Sequence, residues 1–174
     1  DESVIDKTYA RILQEKCNIV LCGMPSSGKT TVGTEIAKRF GKKFVDTDDV
    51  VVEKRRESVS DIFEKYGEKE FRNEERLAIE ELSKENGLVI ATGGGAVIDE
   101  NNVRALKRNG VILFLDRSLE NLVATSDRPL SNDIEKLKKL YEKRYDVYKS
   151  CADVIIPANG GITDVVEKIE GVLL

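Results

Sequence analysis

The chain has no histidine. That excludes histidine-based triads and HExxH zinc sites, and leaves aspartate, glutamate, lysine or water as general base. Its three cysteines, Cys17, Cys22 and Cys151, are odd in number and lack metal-ligand spacing, so they read as reduced thiols of a cytoplasmic protein. Long apolar runs are missing too. Ile19–Cys22 and Val111–Leu115 are strand-sized and far too short to span a bilayer, so no membrane partner is expected. Nor is there an excess of positive charge: 28 Lys and Arg against 32 Asp and Glu leave a formal net charge of −4. A general basic surface for nucleic acid is therefore not expected, and anionic ligands need local clusters of Arg and Lys. No internal repeat or low-complexity segment is apparent, and Asp1 and Glu2 open the sequence without the basic-then-apolar pattern of a signal peptide.

What remains is the profile of one globular domain, with 174 residues, 40% hydrophobic and 34% charged. Residues 1–16 place Ile5, Tyr9, Ile12 and Leu13 at helical spacing, which predicts an amphipathic lead-in helix. From residue 17 to 174, strand and helix patterns alternate. Strands are expected at Asn18–Cys22, Lys43–Asp46, Leu88–Thr92, Val111–Asp116 and Asp153–Ile156. Helices are expected at Lys29–Phe40, through most of 47–86 with Ile62, Phe63 and Phe71 buried, from Asp99 to Asn109, at Ile134–Ser150 and at Ile162–Leu174. Ser118 is expected to N-cap a further turn, and a polar break covers Thr125–Asp133. Continuous apolar strands alternating with helices predict an α/β fold: a parallel sheet covered on both faces and joined by right-handed crossovers. In such sheets ligands lie beyond the carboxyl ends of the strands.

Directly after the first strand and before the first long helix, Gly23-Met24-Pro25-Ser26-Ser27-Gly28-Lys29-Thr30 satisfies GxxxxGK[ST], and that context is what gives the pattern its meaning. Gly28 lets backbone N–H groups turn inward onto phosphates, Lys29 reaches the β- and γ-phosphates, and the Thr30 hydroxyl can hold Mg²⁺. A GTPase would be expected to carry NKxD and DxxG; neither occurs. A compact chain with a polar break between late helices reads as a small-molecule or nucleotide kinase with a lid.

The acceptor side is sought in the other strand-end loops. Asp46-Thr47-Asp48 carries two carboxylates that point differently and can take separate tasks, Mg²⁺ water and a substrate hydroxyl; the alternative is a helix N-cap. Arg72 and Glu75 share a helix face at i, i+3, suited to an oriented guanidinium reading a carboxylate, although spacing alone favours a surface ion pair. Gly93-Gly94-Gly95 ends the third strand, where a ligand ring could approach the backbone, or where the chain simply turns. Arg128, in Arg128-Pro129-Leu130, could stabilise the transferring phosphoryl group. Arg144 lies among Lys138, Lys139 and Lys143, so a solvated face is its default reading.

Taken in order, the phosphate loop, DTD, FRxxE, GGG, RPL and R-x-x-x-Y resemble the shikimate kinase family over essentially residues 17–174. The resemblance implies ATP- and Mg²⁺-dependent phosphorylation of the 3-hydroxyl of shikimate, on the route to chorismate and the aromatic amino acids. It implies a three-layer P-loop kinase fold with a five-stranded parallel sheet in order 2-3-1-4-5, a substrate-binding subdomain at about 47–86 and a lid at about 124–133. By that resemblance Lys29, Asp48 and Arg128 carry catalysis, and Ser26, Ser27, Gly28, Lys29, Thr30, Thr31, Arg128 and Asn159 hold ATP. Asp48, Arg72, Glu75, Gly93, Gly94, Gly95 and Arg144 hold shikimate, while Thr30 and, through water, Asp46 hold Mg²⁺. The protein is expected to act as a cytoplasmic monomer. One departure stands out: Ala124 precedes Thr125 where family members commonly carry an arginine that covers the adenine. The alternatives are a gluconate or nucleoside monophosphate kinase, or a nucleotide-binding domain without catalysis; gluconate kinases usually carry a histidine after the second strand.

Overall fold

Val20 and Cys22 face one side of the first strand and Ile19 and Leu21 the other, and all four are buried, so this strand must lie inside a covered sheet. In the computed structural model, which describes residues 17–122 and 134–174, it is the central strand. The expected lead-in helix and the segment with Ala124, Thr125 and Arg128 fall outside the described residues.

Strand β1 (Asn18–Cys22) pairs in parallel with β3 (Leu88–Ala91) and β4 (Gly110–Asp116). The outer positions go to β2 (Lys43–Asp46) and β5 (Val154–Pro157), giving the order β2-β3-β1-β4-β5. Helices α1 (Lys29–Phe40) and α7 (Ile162–Leu173) cover the Ile19/Leu21 face through Ile36, Val166 and Ile169. On the opposite face α4 (Glu68–Leu82), α5 (Glu100–Lys107) and α6 (Ile134–Cys151) bury Ile79, Leu106 and Tyr148 against Val20 and Cys22. The two-sided cover is the one the sequence pattern predicts, and the strand order is the one the family resemblance implies.

The stretch expected to be mainly helical after β2 resolves into α2 (Thr47–Arg55), α3 (Val59–Tyr66) and α4, closed around Val51, Ile62, Phe71 and Ala78. Ser58 and Asp61 form a reciprocal capping box that starts α3, and Arg56 in the left-handed region ends α2. Arg55 ties the three together, reaching Glu74 at 3.1 Å and lying 4.7 Å above the Tyr66 ring.

Some boundaries differ from expectation. Helix α5 stops at Lys107 rather than Asn109. Strand β5 begins one residue late because Asp153 uses its carboxylate, accepting from the Ile112 N–H at 2.8 Å. After β4 the expected capped turn is a three-residue 3-10 turn, Leu119–Asn121, in which the Ser118 side chain caps no backbone N–H. Among the described residues no helix is long and apolar enough to cross a membrane.

Candidate active site

All the functional loops leave the carboxyl edge of the sheet, and the first is the phosphate loop between β1 and α1. Gly23 (φ 148°), Ser26 (φ 64°) and Gly28 (φ 94°) take positive φ in succession, which curls the backbone around a concave turn. No side chain caps the N-terminus of α1, so its leading N–H groups and their partial positive charge face that turn. The Ser26 hydroxyl is buried with no hydrogen-bond partner among the described residues, an acceptor-seeking donor in the position where a phosphate oxygen fits. Lys29 is buried, and its ammonium donates to the Gly23 and Met24 carbonyls at 2.9 and 2.7 Å.

Asp46 ends β2 and divides its carboxylate. One oxygen accepts from the Asp48 N–H at 2.9 Å and N-caps α2; the other lies 3.4 Å from the Thr30 hydroxyl on α1. The N-cap reading and the ligand reading thus hold for the same side chain. Thr47, fully buried, turns the other way and accepts from the Gly93 N–H at 2.9 Å, which fixes the start of the glycine turn. Asp48 is left on the cavity side.

The glycines are there because side chains occupy the space their Cβ atoms would need. A Cβ on Gly93 would come within 2.5 Å of Glu75 Oε1 and 2.6 Å of Asp48 Oδ1. One on Gly95 would fall on the Arg72 guanidinium, and one on Gly94 would stand 3.1 Å from Arg144 Nη1. The turn is therefore the meeting point of Asp48, Arg72, Glu75 and Arg144. Arg72 donates to Glu75 at 2.7 Å, and Glu75 is fully buried at the end of that bond. Burial pushes the Glu75 carboxyl up to about 7; Arg72 pulls against that, Asp48 adds to it, and Arg144 opposes it more weakly. Arg144 is only 5% exposed, which replaces the solvated-face reading. A cavity of about 600 Å³ joins the phosphate loop, Asp46, Asp48, Arg72, Arg144 and the three glycines.

A family model described as shikimate kinase matches residues 25–173. The chain belongs to the shikimate kinase family. It is 39% identical over 163 residues to a shikimate kinase of Clostridium botulinum (strain Alaska E43 / Type E3), covering 91% of this chain and 98% of that one. The solved shikimate kinase of Acinetobacter baumannii, in complex with shikimate, superposes with a TM-score of 0.84 at 32% identity, covering 94% of each chain. A gluconokinase from Sinorhizobium meliloti 1021 reaches a TM-score of 0.54 at 16% identity, a likeness of fold alone.

In this member of the family the sequence-predicted residues gather unevenly. Ser26, Gly28, Lys29, Thr30, Thr31, Asp46, Asp48, Arg72, the glycines and Arg144 line the cavity, with Ser27 and Glu75 buried beside it. Asn159 does not line it; its carboxamide oxygen accepts from the Ser118 N–H at 2.8 Å and braces the loop after β4. Arg128 lies outside the described residues. Sequence reasoning missed the apolar wall: Phe63, half-buried rather than core, and Phe71 line the cavity with rings 4.9 Å apart. The phenylalanine that opens FRxxE and a second one in the preceding helix were the available signal.

Proposed function

We propose that this chain transfers the γ-phosphoryl group of ATP to the 3-hydroxyl of shikimate, forming shikimate 3-phosphate and ADP. One observation carries the reading: a single cavity holds a phosphate loop at one end and two arginines with an aspartate at the other. Arg72 and Arg144 bind the carboxylate of the acid, and Glu75 holds Arg72 in its fork geometry. The Phe63 and Phe71 rings offer an apolar wall to the cyclohexene ring. Asp48 accepts the proton of the attacking hydroxyl, or at the least orients that hydroxyl in line with the γ-phosphorus. Lys29 leaves its carbonyl partners to meet the charge that develops between the β- and γ-phosphates.

Thr30 and Asp46 present two hard oxygen donors 3.4 Å apart beside the phosphate loop. That suits Mg²⁺, which takes one or two protein oxygens and completes its shell with water and phosphate. When bound, the ion would neutralise charge on the β- and γ-phosphate oxygens. Thr30 would bind it directly and Asp46 through water, with the capping oxygen of Asp46 keeping the other in place.

The test is ADP release with a panel of acceptors. Turnover with shikimate well above the background with gluconate and with CMP is expected. Release stimulated by gluconate or CMP but not by shikimate would overturn the proposal, as would tight ATP binding with no turnover on any of the three.

A further inference from the structure

Tyr148 is fully buried and belongs to no step described above. It lies one helical turn beyond Arg144 on the same face of α6, so both side chains reach the glycine turn. Its hydroxyl donates to the Gly94 carbonyl at 2.6 Å, bridging 54 residues of sequence. A phenol has one proton to donate and lone pairs to spare, and the Arg144 guanidinium stands at the same glycine, its Nη1 3.1 Å from where a Gly94 Cβ would lie. A hydroxyl that is already donating accepts more strongly, which suits this one to a guanidinium N–H. The ring is held from behind by Phe114 of β4, stacked with centroids 5.3 Å apart. Burial pushes the phenol up to about 12, which keeps the donor protonated at any working pH. Arg144 is in need of such a neighbour, because its buried Nε has no hydrogen-bond partner among the described residues.

We propose that Tyr148 is a positioning residue for the acid-binding end of the cavity, its hydroxyl holding the Gly94 carbonyl and the Arg144 guanidinium in one fixed relation so that Arg144 meets the substrate carboxylate already ordered. This rests on the functional reading above. The hydroxyl touches no reacting atom; it removes an ordering step from binding. Its loss therefore acts on the affinity for the acid and leaves phosphoryl transfer alone.

The experiment compares Tyr148→Phe, Arg144→Ala and the double variant with the unaltered protein, by steady-state kinetics and by calorimetric titration with shikimate. Tyr148→Phe is expected to raise KM for shikimate about five- to tenfold, with kcat and KM for ATP changed by less than about twofold. In the Arg144→Ala background the same substitution is expected to change KM little, since its effect runs through that guanidinium. Ile169→Val, in the core on the opposite face of the sheet, serves as a destabilised control and should keep its KM. A lowered melting temperature with unchanged KM would overturn the proposal and leave Tyr148 as a core residue. So would a KM increase of equal size with and without Arg144. Failure of the unaltered protein to turn over shikimate would overturn the functional reading itself, a result distinct from either.

Discussion

Glu75 is the residue on which two large electrostatic effects oppose one another, and exchanging it for glutamine measures which one wins. Burial favours the neutral carboxyl, Arg72 at 2.7 Å favours the charged one, and the balance lies near 7 against an ordinary 4.5. A carboxyl with a raised pKa in the folded chain gives stability that is fully present below the unfolded value and is lost as pH climbs through the folded value. Integrating between pH 5.5 and 8 with those two values gives a loss of about 2 kcal/mol specific to Glu75. Glutamine keeps the shape and a hydrogen bond to Arg72 but cannot ionise, so Glu75→Gln should lack that loss. For a chain of this size the difference corresponds to about 4–8 °C in Tm. Thermal unfolding of both proteins without ligand, at constant ionic strength across this pH range, is the assay. The parent should lose ground to the variant as pH rises. Parallel Tm profiles, or a parent that gains on the variant, would show that Arg72 outweighs burial and that Glu75 is charged throughout.

Two further outcomes are expected. Gly95 has φ −97°, which alanine adopts freely, yet the added methyl would displace the Arg72 guanidinium; Gly95→Ala should therefore raise KM for shikimate by about tenfold or more while KM for ATP stays close to the parent's. Steady-state kinetics in each substrate decide this, and an unchanged KM for shikimate would remove Arg72 from the binding of the acid. Asp48→Asn should lower kcat by about 10²-fold or more if Asp48 takes the proton; a loss of only a few-fold in single-turnover measurements would reduce it to orienting the hydroxyl.

Much of the fold was legible because its signals are local and redundant. The β1–α1 unit matches residue for residue, since an apolar strand, a glycine-punctuated loop and an amphipathic helix follow one another without a break. The region after β2 reads as mainly helical, as it is, but its pattern leaves it undivided because charged residues crowd it and its helix boundaries depend on caps such as Ser58 and Arg56. Arg144 and Glu75 were harder. Each sits in a run of charges that reads as a wet surface, and each is buried because of the stripe it occupies. Leu137, Arg144, Tyr148 and Cys151 are the buried residues of α6; Phe71, Glu75, Ala78, Ile79 and Leu82 are those of α4. A charge on an otherwise apolar stripe is the pattern that could have separated them from their solvated neighbours. The resemblance to the family supplied both residues where composition could not.

Lys29 donates to two carbonyls of its own loop. Any anion entering the loop must replace those bonds, so occupancy is an exchange of partners and not the simple filling of a void. A nucleoside without phosphates offers the ammonium nothing in return and leaves it where it is. A triphosphate offers several charged oxygens at once and draws it out. On the proposed function the loop would thereby discriminate by phosphate count before any contact with the base, and the ammonium would become available at the moment a transferable group arrives.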